Sequence, residues 1–147
     1  MTTLATNAKR EFMDGYEPCF CDLPVIAADI IYEGAAVGDP ADSGTGTDGY
    51  AQPIDASDGF RGFADSKADN SSGAAGAINV RVRQRGVVKL AVTGVTGQSD
   101  VEATVYCTDD NTFTLTASGG IAIGKIIQYV SSTTVWVYFE GEQLRSI

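Results

Sequence analysis

At 147 residues the chain is sized for one domain, and a domain of that length buries roughly 68 to 70% of its unfolded surface, enough for a core without covalent staples. Its formal net charge of −9 disfavours a nucleic-acid or anionic-membrane partner, since both attract lysine and arginine. The absence of histidine removes the usual general base, the Ser-His-Asp and Cys-His arrangements and the commonest zinc ligand.

The charge is unevenly placed. Up to Asn70 there are 13 acidic and 4 basic residues, so 4 − 13 = −9, whereas Ser71 to Ile147 holds 6 of each. Seventeen glycines imply many tight connections between short strands, as in an all-β fold.

From the N-terminus, Met1 to Pro24 is polar and lacks a sustained period, and Pro18 and Pro24 disfavour helix in the residues before them. It reads as an extended arm, followed by a β-rich domain over Val25 to Ile147. No signal-peptide core or span of about 20 apolar residues is present, so synthesis in the cytoplasm is expected, with reduced thiols at Cys19, Cys21 and Cys107.

The run VIAADIIYE, Val25 to Glu33, predicts a strand, and GDPADSGTGTDG, Gly38 to Gly49, predicts a loop. Short apolar pieces follow at Tyr50 to Ile54 and Phe60 to Ala64, then a second polar loop from Asp65 to Gly76. Ile78 to Gln84 and Val87 to Val92 flank Arg85 and Gly86, where a hairpin and a single bent strand are both compatible with the glycine. Arg81, Arg83 and Arg85 alternate with Ile78, Val80 and Val82 in a period of two, the pattern of a half-buried strand.

Val101 to Thr108 and Thr112 to Thr116 predict a hairpin around Asp109, Asp110 and Asn111. A last pair, Ile121 to Val130 and Thr133 to Glu140, flanks Ser131 and Ser132. In TTVWVYFE, Trp136 and Tyr138 take the face opposite Val135, Val137 and Phe139.

Chemical motifs are weak. The C-x-C of Cys19 and Cys21 lacks enough partners for tetrahedral zinc, and the acidic groups Asp39, Asp42, Asp48 and Asp109, Asp110 lack calcium-loop spacing. ASGGIAIGK misses the phosphate-loop pattern, because Ile126 follows Lys125 where a serine or threonine is required. No catalytic, cofactor or metal site is expected.

The order IIYEGAAVG, DGFRGFADSKADNSSGAAG, INVRVRQRGVVKLAV, DVEATVYCTDDNTFTLT, IGKIIQYV and TVWVYFEG resembles the small head-decoration, or capsid cement, proteins of tailed bacteriophages. The resemblance covers roughly Val25 to Gly141, and its sharpest elements are FRGFADSKADNSSG leading into VRVRQRG, and VYCTDDNTFTLT followed by IGKIIQYV. It implies a structural protein that adds to the exterior of the expanded capsid, often as a trimer, and clamps capsomers of the major capsid protein against internal pressure.

The expected fold is therefore mainly β: a single compact β-barrel or β-sandwich domain with long loops and an extended N-terminal arm. On this reading the arm and first loop meet the capsid through Thr2, Thr3, Leu4, Phe12, Tyr16, Phe20, Pro40 and Tyr50. Arg81, Arg83, Arg85, Trp136 and Tyr138 are the expected subunit interface. A fibre-type or carbohydrate-binding adhesin, with Trp136, Tyr50 or Tyr129 stacking on sugars, is the alternative function.

Overall fold

The computed structural model describes residues 3–15, 17–40, 49–55 and 57–145. In chain order the strands are β1 (Cys19–Pro24), β2 (Asp29–Ile31), β3 (Ala36–Asp39), β4 (Gln52–Pro53), β5 (Gly59–Ala64) and β6 (Ala68–Asn70). They continue with β7 (Asn79–Thr93), β8 (Thr104–Asp109), β9 (Thr112–Thr114), β10 (Ile121–Ser131) and β11 (Thr134–Glu140), before a single helical turn α1 (Glu142–Arg145). Five of these, in the order β7-β11-β10-β8-β9, close into a barrel because β9 pairs in parallel with the end of β7. Closure leaves these strands no open sheet edge along the barrel seam.

β7 organises the molecule. Its first half alternates as the sequence predicts, with Val80 and Val82 buried and Arg81 exposed. The alternation carries on through Gly86, with Gln84, Gly86, Val88, Leu90 and Val92 buried and Val87 alone out of phase, and the chain continues as one 15-residue strand rather than turning back. The physical reason lies in its neighbours. On one edge β11 pairs with Arg85 to Ala91 and β5 takes over at Arg83 and Val82, so both halves of the strand find partners without a hairpin.

The two later hairpins form as expected. Asp109 closes the β8–β9 turn by accepting from the Asn111 N–H at 2.9 Å and the Thr112 hydroxyl at 3.0 Å. In the β10–β11 turn, Ser131 pairs with Thr134 and the left-handed residue is Ser132, with φ 51°.

Earlier segments depart from the sequence reading. The run from Val25 to Glu33 is not one strand: β1 ends at Pro24, Ala28 turns the chain at φ 57°, and only Asp29–Ile31 continues as β2. An alanine in that conformation carries no turn signature in the sequence. The predicted loop begins later than Gly38, since β3 buries Gly38 and Asp39, with Asp39 paired to Arg61 at 3.3 Å. Inside the second polar stretch, β6 pairs with β2, and the buried Asn70 amide donates to the carbonyls of Ile26 at 2.9 Å and Ala74 at 3.0 Å.

Two apolar clusters result. The barrel core centres on Phe60, Phe63, Phe113 and Phe139, with the Phe63 and Phe139 rings 4.9 Å apart and nearly perpendicular. The second cluster, around Leu23, Val25, Val37, Val80 and Val82, lies under β1 and β7.

The N-terminal segment is extended, but residues 11–13 and 19–24 lie along the body. Phe12 bridges to Val88, and Cys19 to Pro24 pair antiparallel with Arg85 to Asn79, which covers the edge of β7 opposite β11 and β5. Leu23 is 7% exposed, so the segment also contributes to a core.

Candidate interaction surfaces

Two groups of residues that the sequence assigns to different roles share one face. Pairing of β1 with β7 sets Phe20 opposite Arg83 and Asp22 opposite Arg81. The Phe20 ring centre lies 4.4 Å from the Arg81 guanidinium carbon and 5.0 Å from that of Arg83. Arg83 also covers Phe12 at 3.9 Å. The stripe is thus engaged by the chain's own N-terminal aromatics through cation–π contacts, each worth about 0.5 to 2 kcal/mol. A strand of alternating charges does not reveal this, because the cover comes from 61 to 71 residues away in sequence.

Further along the same face, Lys89 lies 5.2 Å from the Trp136 ring and 3.0 Å from the Glu11 carboxylate. The Tyr138 hydroxyl donates to Glu140 at 3.2 Å. Arg85 and Tyr138 line a hollow of about 290 Å³ with Gly15 and Glu17. Trp136 and Tyr138 are half-buried, so neither ring is a fully open platform.

The other expected contacts are dispersed. Leu4 is half-buried and donates its N–H to Asp110 at 3.0 Å, while Thr3 is exposed at the end of the described chain. Pro40 and Tyr50 flank residues 41–48, and both are half-buried. Thr2 and Tyr16 lie outside the described residues, as do Asp42 and Asp48 of the first acidic group.

Arg10, which the sequence does not single out, fastens the segment to the barrel end. Its Nε donates to the Gly34 carbonyl and its Nη2 to Asn111, each at 2.8 Å. The guanidinium lies 5.7 Å from the Phe63 ring and 5.4 Å from Phe113. Burial pulls its pKa down, opposed by the Asp110 carboxylate, and burial raises Asp110 in turn.

The acidic residues around the neighbouring cleft of about 540 Å³ have local partners. Asp109 serves its turn, Asp110 accepts from Leu4, and Asp29 accepts from Ile30. Among the described residues, no three His, Cys, Asp or Glu side chains converge as metal ligands would. Burial pushes the Cys107 thiol up to about 12, with Asp109 adding to the shift, so it is protonated at neutral pH.

The sequence reading misses two exposed apolar side chains on β10. Ile127 and Val130, 37% and 40% exposed, are the large apolar side chains most open to solvent among the described residues. Beside Ile127 a groove of about 500 Å³ is lined by that side chain, Ala122, Ile123 and Tyr138 together with Lys125 and Glu140. The run IIQYV conceals which of its residues face inward: Ile126 is buried and its neighbour Ile127 is not.

Comparison with known protein families and with curated proteins finds no match to this chain.

Proposed function

We propose that the protein is a structural virion component that binds the outer surface of the expanded capsid of a tailed phage and clamps neighbouring capsomers. Its partner is the major capsid protein, and its working form is a homotrimer at three-fold positions. The observation that supports this reading best is the bracing of β7, which is paired on one edge by residues 11–13 and 19–24 and on the other by β11 and β5. A clamp must carry tension between neighbours. Interstrand hydrogen bonds run across the strands, so a pull along β1 or β11 loads many of them together.

Ile127 and Val130 expose apolar surface to a partner, and the acidic balance suits an exterior position away from the genome. Repetition over a lattice supplies strength, since linked weak contacts gain effective concentration. Phe12 and Phe20 are committed to Arg83 and Arg81, so the capsid contacts are drawn first from β10, Pro40, Tyr50 and the residues between those two.

The test is to mix the purified protein with undecorated expanded heads of its phage, pellet them and count bound copies. Saturation near a simple multiple of the three-fold sites supports the proposal. The Ile127→Ser, Val130→Ser double variant is expected to fold and to bind less. Failure of the parent protein to bind mature heads overturns it, and a glycan array then tests the adhesin alternative.

A further inference from the structure

We propose that the outer edge of β1 pairs antiparallel with the same edge of a second copy, about a two-fold axis through Cys21. The edge is defined by hydrogen-bond direction. Val25 donates to the Ile78 carbonyl at 3.0 Å on the β7 side, while the Pro24 carbonyl accepts from Ala51 at 2.7 Å on the opposite side. Since successive residues of a strand direct their N–H and C=O groups to alternate edges, Cys21 and Leu23 face β7, and Phe20 and Asp22 face outward. Among the described residues, no backbone group bonds the outward side of Phe20 or Asp22.

A second copy satisfies these groups better than an arbitrary strand does. In the two-fold register Phe20 lies opposite the second copy's Asp22 and the reverse, giving two hydrogen-bonded pairs with two bonds each. Asp22 then comes alongside the second copy's Phe20, on whose ring Arg81 and Arg83 are stacked at 4.4 and 5.0 Å. An acidic side chain thus meets a basic pair on each side of the axis, where Arg81 is half-exposed and already pairs through Nε with Asp65 of its own chain at 3.7 Å.

The arrangement is also bounded. Pro18 and Pro24 bracket the strand, so pairing cannot propagate along the chain, and an isologous contact consumes the edge on both copies. At the axis the two Cys21 residues form a non-hydrogen-bonded pair with Cα atoms about 4.5 Å apart, within the range a disulfide spans. This pairing stands independently of the capsid reading, although on a lattice it would join neighbouring trimers across two-fold positions.

The experiment is sedimentation velocity on the reduced full chain at concentrations up to roughly 1 mM, the range in which so small a contact shows, with amide exchange followed residue by residue. A monomer–dimer equilibrium is expected, with the Phe20 and Asp22 amides slowed in the dimer. Asp22→Pro removes an outward donor without touching the β7 ladder and is expected to weaken association roughly tenfold or more. Asp22→Lys, which opposes like charges to Arg81 and Arg83, should act in the same direction with barrel amides unchanged.

With diamide, two Cys21 thiols couple as their two electrons and two protons pass to the reagent. The linked dimer should vanish in Cys21→Ser and persist in Cys19→Ser. A monomer at every concentration, a dimer that leaves Phe20 and Asp22 amides unprotected, or a link formed through Cys19 alone overturns the pairing. None of these results bears on binding to heads, which is measured separately.

Discussion

The guanidinium carbon of Arg83 lies 3.9 Å from the centre of the Phe12 ring. That contact joins the central strand to the N-terminal segment next to the point where Phe12 also packs against Phe139, with ring centres 6.2 Å apart. Phe12 therefore links the exposed face of β7 to the barrel core. A double-mutant cycle on Arg83→Ala and Phe12→Ala is expected to give a coupling of about 0.5 to 2 kcal/mol in urea denaturation. Additive effects would remove the stack from the account of how the segment is held.

Removing Met1 to Pro24 takes away more than an arm. The truncation deletes β1, withdraws Leu23 from the second core and bares Val80 and Val82. Loss of a buried leucine alone costs about 2 to 5 kcal/mol, a large fraction of the stability of a domain of this size. The truncated chain is expected to aggregate or to melt far below the parent in calorimetry. A normal melting transition would show that the segment is dispensable to the body.

Gly34 brings the body and the N-terminal segment into close backbone contact. Its φ is +86°, and a Cβ there would collide with the Ala8 carbonyl. Gly34→Ala therefore combines a left-handed alanine, costing about 1 to 2 kcal/mol, with a steric clash that the Ala8 backbone must yield to. Hydrogen exchange should quicken at Ala8, which donates to Glu33 at 2.8 Å, while the amides of β10 and β11 keep their protection. Equal acceleration everywhere would mean that the substitution acts on the whole fold instead.

Asp58 predicts a pH effect of definite sign. Burial raises its pKa, against hydrogen bonds from the Gln52 side chain and the Asp55 N–H, with the Asp55 and Asp39 charges adding to the rise. The folded state thus binds this proton more tightly than the unfolded chain, so the carboxylate's contribution to stability falls as pH rises from the ordinary value near 3.9 through the raised one. Asp58→Asn retains an oxygen acceptor for both donors and is expected to be more stable than the parent at about pH 7. The advantage should vanish below about pH 3, where the parent is protonated in both states. Paired urea midpoints at the two pH values measure it, and an advantage independent of pH would exclude desolvation as its cause.

Much of the architecture is written locally. The alternation of Val80 and Val82 with Arg81 and Arg83, the Asp109 to Asn111 turn and the paired runs before and after Ser132 each depend on neighbours within a few residues, and a mainly β barrel follows from them. Tertiary structure decided what those elements meet. Whether the chain turns at Gly86 or runs straight on depends on β11 and β5 sharing an edge of β7, and the placement of Cys19 to Pro24 depends on the opposite edge being open to receive it. Arg10 gains its anchoring role from Phe63, Phe113, Gly34 and Asn111, and Ile127 faces solvent while Ile126 is buried. Composition and period describe a residue's own strand. Which strand, ring or carbonyl stands opposite is set by closure of the barrel, which joins segments far apart in the chain.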